Sequence, residues 1–320
     1  MALLQVRDLT VSFGAAPYPV RAVSHVDLEI GPGEIVGIAG ESGSGKSTLC
    51  AALIRALPRT ARVEGEVLFA GRSIYAMSRR ELRRMRGREM TMILQNPMTS
   101  LDPLFTIGDQ VGEVLTARGA GGGDVRSHTV DLLKSVHLTA PEARLGQYPH
   151  ELSGGMRQRV LIAMASATAP KLLLADEPTT ALDATIQEEI LVLFKEIRAK
   201  HGTAIVVVTH DLGVIRRICD RVVIMYGGRI AEDGPVEAIY DAPRHPYTRA
   251  LLASIPVLDG AQVTLQSIPG QVPNLADLGD FCAFAARCPR VEDRCRANAP
   301  GETAIGQGHR AFCFRAEERA

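Results

Sequence analysis

The chain contains no tryptophan, and aromatic residues make up only 4% of its 320 positions. A core of this size must therefore be built from Leu, Ile, Val and Ala side chains. Hydrophobic residues reach 46% and charged residues 22%, which is typical of a globular protein. The length exceeds what one ordinary domain needs, so we expect two domains or one domain with additions.

An excess of charge of either sign is also missing. Lys and Arg number 36, as do Asp and Glu, so the formal net charge is zero. Proteins that bind nucleic acids usually carry a basic excess, and we therefore expect no nucleic-acid partner. One basic cluster, Arg79–Arg88, contains Glu81 and adjoins Glu89. This pattern favours a solvated helix face over an RNA-binding segment.

Long apolar runs are absent. No stretch approaches ~18 uninterrupted apolar residues, so the sequence predicts no transmembrane helix. The first 14 residues lack the charged and apolar segments of a signal peptide. We therefore expect a cytoplasmic chain that reaches a membrane only through a partner. In a reducing cytosol the six cysteines are not expected to form disulfides.

Short apolar runs alternate with helical patterns, which indicates an α/β fold with a mainly parallel sheet. A helical pattern interrupted by a glycine-rich loop, Gly119–Gly123, occupies the middle of the chain. The C-terminal part is rich in proline and cysteine. The domains we predict are an α/β core formed by residues 1–95 and 169–242, a helical subdomain at 96–168, and a C-terminal extension at 243–320. The predicted strands and helices are Leu3–Phe13, Val26–Ile30, Ile35–Ala39, Lys46–Leu57, Lys171–Ala175, Ala184–Lys200, Ala204–Thr209 and a hairpin turning at Gly227–Gly228.

A glycine-rich segment, Gly40–Ser47, fits the pattern G-x-x-x-x-G-K-[ST] and lies between a predicted strand and helix. Glycines let backbone N–H groups wrap around phosphate oxygens, and the helix N-terminus adds a positive dipole end. Lys46 is expected to reach the β- and γ-phosphates, and the Ser47 hydroxyl to bind Mg²⁺. The segment predicts an ATP-binding P-loop.

Polar residues follow three predicted strands near this loop. Asp176 and Glu177 end an apolar run, and we expect Asp176 to hold Mg²⁺ while Glu177 orients or deprotonates the attacking water. His210 follows another strand and is a candidate contact to the γ-phosphate. Gln95 follows the predicted strand Thr91–Leu94 and is a candidate contact to Mg²⁺ or the water. Alone, Asp176 and Glu177 are equally consistent with a buried strand that runs into a turn. A histidine at a strand end is more often a turn residue, and neither His210 nor Gln95 alone indicates a site.

A second helix N-terminus suited to anions begins at Ser153, which occupies an N-cap position before Gly154 and Gly155. One nucleotide site does not need two such termini in one chain. The segment is therefore interpreted as completing a site on a partner molecule, although a simple capped helix start would have the same sequence.

In their order along the chain, these motifs resemble those of the nucleotide-binding subunits of ABC transporters, and the resemblance covers about residues 1–240. Gly40–Ser47 is similar to the Walker A motif, Leu172–Glu177 to Walker B with its catalytic carboxylate, and Gln95 to the Q-loop. Ser153–Met156 resembles the signature, Ala181–Asp183 the D-loop and His210 the switch histidine. The resemblance implies a P-loop NTPase (RecA-like) ABC domain with an inserted helical subdomain. The nucleotide contacts that it implies are Phe13 (on adenine), Gly40, Gly43, Gly45, Lys46, Ser47, Thr48, Ser153, Gly154, Gly155, Asp176 and Asp183.

Three further segments resemble the oligopeptide/dipeptide importer branch: Gln95–Pro103, His245–Thr248 and Ile268–Pro273. The resemblance implies an ATPase subunit at the cytoplasmic face of the inner membrane that drives uptake of short peptides. Its partners would be a second ATPase subunit in a heterodimer, two permease subunits and an extracytoplasmic binding protein. Permease contact would involve residues 95–104. Import of nickel, glutathione or another small solute is an alternative, as is a soluble ABC ATPase in a non-transport complex.

Four cysteines, Cys282, Cys288, Cys295 and Cys313, are spaced C-x5-C-x6-C-x17-C. Thiolates favour soft metals, and the spacing is wider than that of structural zinc sites. The segment resembles a four-cysteine extension that carries a [4Fe–4S] cluster on one ATPase subunit of peptide importers. Zinc and free thiols remain alternatives, and His309 is a candidate substitute ligand. We expect Cys50 and Cys219 to be small buried residues.

Overall fold

The computed structural model describes residues 2–14, 19–95, 97–117, 124–255 and 267–318. The predicted glycine-rich loop at Gly119–Gly123 lies outside these ranges. The strands, in chain order, are β1 (Leu4–Phe13), β2 (Val20–Ile30), β3 (Ile35–Ala39), β4 (Arg62–Phe69), β5 (Arg72–Ser73), β6 (Met90–Ile93), β7 (Leu172–Asp176), β8 (Ala204–Thr209), β9 (Arg221–Tyr226), β10 (Arg229–Pro235), β11 (Thr303–Gly306) and β12 (His309–Ala311). The helices are α1 (Lys46–Leu53), α2 (Arg79–Arg88), α3 (Pro97–Ser100), α4 (Ile107–Ala117), α5 (Val125–Ser135), α6 (Pro141–Arg144), α7 (Gly154–Ser166), α8 (Ala184–His201), α9 (Leu212–Ile218), α10 (Val236–Asp241), α11 (Pro246–Ala253) and α12 (Asp293–Ala297).

The chain divides into two compact units, of which the first comprises Met1–Gly31, Ile35–Ala76 and Val208–Ala320. This unit contains an antiparallel sheet in the order β2-β1-β4-β5. It also contains strands in the order β11-β12-β10-β9-β3, in which β3 runs parallel to β9 and the other pairs are antiparallel. Every residue of β3 is buried, as expected of a short apolar strand inside an α/β protein.

The C-terminal part of the chain contributes to the core of this first unit. Tyr247 is fully buried, and its ring centroid lies 4.6 Å from that of Tyr226 and 5.4 Å from that of Phe284. Tyr226 and Phe284 meet edge to face at 5.1 Å. In a chain this poor in aromatic residues, three of them gather where β9, α11 and the cysteine-containing segment meet. Aromatic pairs in these geometries stabilise a core beyond the area they bury.

The second unit comprises Pro32–Glu34 and Met77–Val207. Its strands β6 and β7 are parallel, and β8 lies beside β7. Helices α4, α5 and α7 pack against one another, and α7 also contacts β6. The longest helix, α8, begins at the N-cap Asp183, whose side chain accepts the Ile186 N–H, and ends at Gly202 in a left-handed conformation. These are standard start and stop signals for a helix.

Most of the predicted elements are confirmed, with differences at their ends. The hairpin between β9 and β10 turns at Gly227–Gly228, both of which have positive φ. The predicted helix from Lys46 ends at Leu53 rather than Leu57, and the strand predicted from Val26 begins at Val20. The basic cluster forms α2, which buries Leu82 and Met85 and exposes most of its arginines, as predicted. Within the described ranges no helix is both long and apolar enough to cross a membrane.

Candidate nucleotide-binding site

The glycine-rich loop joins β3 to α1 in the first unit, as its sequence predicts. Gly40 and Gly45 have φ of 150° and 95°, and both lie against other backbone. A Cβ at Gly40 would lie 2.1 Å from the Met225 carbonyl oxygen, and one at Gly45 would lie 2.3 Å from that of Ala22. Because no side chain fits at either position, the loop geometry depends on glycine.

Lys46 is the first residue of α1 and is only 6% exposed. Its Nζ donates to the carbonyl oxygens of Gly40 and Glu41, each at 2.8 Å, and to Ser44 Oγ at 3.3 Å. Gly45, the N-cap of α1, provides no side-chain cap. The helix N-terminus and the lysine ammonium therefore both face the loop, which suits binding of an anion.

Four more of the predicted residues lie in the first unit. Phe13 is the last residue of β1 and is half-buried. His210 is exposed and follows the end of β8 at Thr209. Ser47 is exposed and Thr48 half-buried in the first turn of α1.

In the second unit, β7 ends at Asp176, whose side chain is buried, and the next residue is Glu177 with φ of 48°. Glu177 Oε2 accepts the Thr180 hydroxyl at 2.7 Å and Gln95 Nε2 at 3.4 Å. The structure thus brings together Gln95 and Glu177, which are 82 residues apart in the chain. Thr180 was not identified from the sequence, although a hydroxyl three residues after a carboxylate at a turn is a usable signal.

The predicted N-cap at Ser153 is confirmed, because its Oγ accepts the Met156 N–H at 3.3 Å. Gly155 is buried, and a Cβ there would lie 2.6 Å from Ile186 Cγ2 near the start of α8. The starts of α7 and α8 therefore pack closely. They border a cleft of about 470 Å³ whose lining includes Ser153, Gly155, Met156, Arg159, Ile186 and Glu188.

The four clustered cysteines line one small cavity of about 20 Å³, together with His245 and Phe284. Within the residues that the structure describes, no group of His, Cys, Asp or Glu is arranged closely enough to hold a metal ion. Burial raises the pKa of the Cys282 thiol to about 11, and the neighbouring cysteines add to this shift. The Cys282 thiol is therefore protonated at neutral pH.

His309, the candidate substitute ligand, lies elsewhere: its Nε2 is 2.8 Å from Glu232 Oε1, and both side chains are buried. Burial alone would raise the pKa of Glu232, but hydrogen bonds from His309 and from the backbone N–H groups of His245 and Arg244 lower it overall. Of the two remaining cysteines, Cys50 is fully buried as predicted, and Cys219 is partly buried.

Comparison with known proteins gives consistent matches along the chain. Residues 23–180 match the ABC transporter family, and residues 231–295 match the oligopeptide/dipeptide transporter C-terminal region. The chain is 46% identical to a probable peptide ABC transporter ATP-binding protein of Sinorhizobium fredii, over 99% of this chain and 96% of that protein. It is 44% identical to the dipeptide transport ATP-binding protein DppD of Escherichia coli, over 98% of this chain and 96% of that protein.

Solved structures of ATP-binding cassettes also resemble this chain. The dimeric ATP-binding cassette MJ0796, in a post-hydrolysis state with ADP and Pi, has a TM-score of 0.65 and 31% identity, covering 73% of this chain and 98% of its own. The fold is thus that of an ABC-type P-loop NTPase, and the chain is an ATP-hydrolysing subunit. The chain belongs to the family of ATP-binding subunits of peptide and dipeptide ABC transporters.

Proposed function

We propose that the chain drives uptake of short peptides, as the ATPase subunit of an importer at the cytoplasmic face of the inner membrane. The observation that carries this proposal is the match of residues 231–295 to the oligopeptide/dipeptide transporter C-terminal region. That region is built into the fold, because His245, Tyr247 and Phe284 are all buried in the core of the first unit.

Uptake of labelled peptides by cells or vesicles that contain the assembled transporter tests this proposal. Short peptides are expected to be taken up in an ATP-dependent manner and to stimulate ATP turnover. Stimulation by nickel or glutathione, with no response to peptides, would assign the importer to another solute. A complex that purifies without integral membrane subunits would contradict a transport role altogether.

For ATP hydrolysis we assign the phosphate contacts to the N–H groups of Gly40–Ser47 and to Lys46. Ser47, Asp176 and Gln95 are the residues that would hold Mg²⁺, since hydroxyl, carboxylate and amide oxygens are the ligands it prefers. When bound, this ion neutralises charge on the β- and γ-phosphates. We assign Phe13 to the adenine and His210 to the γ-phosphate.

Glu177 is the proposed catalytic carboxylate. Its Oε2 is held by Thr180 at 2.7 Å and by Gln95 at 3.4 Å, which orients the carboxylate that would position and deprotonate water. Glu177→Gln keeps the shape and the hydroxyl contact but removes the base. We expect ATP to bind with unchanged affinity and turnover to fall about 100-fold or more. Glu196→Gln is the matched control, because Glu196 is an exposed carboxylate that contacts His137. Equal turnover in the two variants would contradict the role of Glu177.

We further propose that a second ATPase subunit, different from this chain, completes each nucleotide site. Its support is the capped N-terminus of α7 at Ser153, Gly154 and Gly155, with Asp183 capping the neighbouring helix. These termini border an open cleft and suit contact with phosphate across a dimer interface. The solved neighbour MJ0796 is itself described as a dimer.

We propose that exposed residues that follow β6 in the chain form a docking site for the permease subunits. Leu94, Leu104 and Phe105 are large apolar side chains that are 55%, 79% and 54% exposed. Exposed apolar groups of this kind commonly mark an interface with another protein. We expect Leu104→Asp to prevent co-purification with the permease subunits while ATP binding by the chain is unchanged. Retention of the permeases in this variant would exclude Leu104 from the contact.

For the cysteine cavity we propose a [4Fe–4S] cluster held by Cys282, Cys288, Cys295 and Cys313. The proposal is supported by the four cysteine side chains, which line one cavity. Among the described residues they do not lie close enough to one another to ligate a metal ion as they stand. A bound cluster would be ligated by the thiolate forms of these cysteines, and its role would be structural or sensory. Anaerobic purification followed by iron, sulfide and zinc analysis separates a cluster, a zinc site and free thiols. A colourless, iron-free protein would contradict the cluster.

A further inference from the structure

One residue of the P-loop, Glu41, is held by two side chains from the C-terminal part of the chain. The Tyr247 Oη accepts the backbone N–H of Glu41 at 2.8 Å. The carboxylate of Glu41 is bound by Arg287 in a two-pronged pair, Nη1 to Oε2 at 2.7 Å and Nη2 to Oε1 at 3.1 Å. Arg287 is 246 residues away in the chain. Residues outside the ATP-binding segment therefore fix both the backbone and the side chain of Glu41.

Arg287 is itself held rigidly. Its Nε donates to the Pro269 carbonyl at 2.9 Å, Nη2 to the Ile268 carbonyl at 3.2 Å and Nη1 to the Tyr226 hydroxyl at 3.1 Å. With the two bonds to Glu41, all five N–H groups of the guanidinium have acceptors. The side chain is only 5% exposed and lies over the Tyr226 ring, 5.7 Å from its centroid. A guanidinium fixed in this way loses little further freedom when it binds a carboxylate.

The third polar group of Glu41 connects this pair to the phosphate site. Its carbonyl oxygen accepts Lys46 Nζ at 2.8 Å. One residue thus links the guanidinium of Arg287, the hydroxyl of Tyr247 and the ammonium of the P-loop lysine. Arg287 also neutralises the charge of Glu41. This matters because an unpaired Glu41 carboxylate in the P-loop would repel the negative charge of a triphosphate.

We propose that Arg287 and Tyr247 are positioning residues for the P-loop, and that through Glu41 they set the affinity of the chain for ATP. Neither residue needs to touch the nucleotide. The C-terminal extension then supports the nucleotide site, in addition to any part it has in assembly or metal binding. This inference rests on ATP binding and is independent of the solute that the transporter carries.

The test compares full-length variants by titration with Mg-ATP and by KM and kcat for ATP in the assembled transporter. For Arg287→Gln we expect the Kd and KM for ATP to rise about tenfold, with kcat within about twofold of wild type. Arg287→Lys should recover part of the loss, because the charge returns without the two-pronged geometry. Arg294→Gln is the control, since Arg294 is a half-exposed arginine of the same extension that contacts Glu292.

A double-mutant cycle separates positioning through Glu41 from general stabilisation. If Arg287 acts through Glu41, Glu41→Gln combined with Arg287→Gln should bind ATP no more weakly than the worse single variant. Additive losses, or an unchanged Kd for Arg287→Gln, would overturn the proposal. Should Arg287→Gln fail to fold, Tyr247→Phe tests the same link, and an unchanged Kd there would also overturn it. Failure of the wild-type chain to bind ATP would instead contradict the ATPase assignment.

Discussion

The buried carboxylate of Asp233 on β10 provides a test of how the C-terminal strands are attached. Its side chain is 2% exposed and accepts Arg221 Nη1 at 2.9 Å and Arg310 Nε at 3.0 Å. Arg221 begins β9 and Arg310 lies on β12 directly opposite Asp233. A single carboxylate therefore joins three neighbouring strands.

The cost of replacing Asp233 by Asn follows from these contacts. Each Arg–Asp pair is worth roughly 4 kcal/mol if the charge centres lie about 4 Å apart and the effective dielectric constant is about 20, and burial offsets part of that attraction. The amide keeps the shape but leaves two guanidinium groups, 18% and 21% exposed, without their shared counter-charge. Removing one partner of such a buried cluster typically costs about 3–5 kcal/mol, and we expect a loss in this range.

Hydrogen–deuterium exchange of peptides that contain β10 and β12 measures this loss locally. Exchange of the Phe312 N–H, which donates to the Ala231 carbonyl at 2.9 Å, should accelerate at least 100-fold, and the urea midpoint should fall. Glu302→Gln is the matched control, because Glu302 binds the same Arg310 from a half-exposed position and should cost about 0–1 kcal/mol. If Asp233→Asn and Glu302→Gln destabilise the chain equally, the role assigned to the buried carboxylate is wrong.

Two further predictions concern the P-loop and a buried histidine. Gly45→Ala should abolish ATP binding in an equilibrium titration, because its Cβ would lie 2.3 Å from the Ala22 carbonyl oxygen. Gly43→Ala is the control, since Gly43 has a φ of 79° but a Cβ there would have no atom within 4 Å. It should cost only about 1–2 kcal/mol of backbone strain and retain weakened ATP binding. Burial lowers the pKa of His245 to about 4, although the negative charge of Glu232 acts to raise it. Below about pH 6.5 the unfolded chain therefore binds a proton at this histidine that the folded chain does not bind. The free energy of unfolding should therefore fall by roughly 2 kcal/mol between pH 6.5 and pH 5. His245→Asn keeps an acceptor for the Tyr247 N–H, and in urea titrations it should remove this dependence of stability on pH. An unchanged slope in this variant would contradict the assignment.

Local sequence patterns predicted the parts of the site that depend on local physics. The P-loop between β3 and α1, the cap at Ser153 and the helix that begins at Ala184 all follow from residue types within a few positions of one another. The apolar runs of β7 and β8 were found because they are short, buried and bounded by polar residues.

Contacts between distant segments could not be predicted in the same way. No local pattern indicates that Arg287 binds Glu41, that Tyr247 accepts its N–H, or that His309 lies against Glu232. The sequence marked His245–Thr248 as a family feature, but not what these residues touch. Such pairings depend on how elements pack in three dimensions, which residue spacing alone does not determine.

The pairing of β12 with β10 has a consequence for the outer edge of these strands. With β12 in place, the border is the four-residue β11, too short to recruit another chain readily. In a chain truncated before Thr303, the seven-residue β10 would instead be the edge strand, and its outward N–H and C=O groups would be unpaired. Such an edge strand is a template for intermolecular strand addition, so shortened versions of this chain should self-associate even where their nucleotide loop is intact.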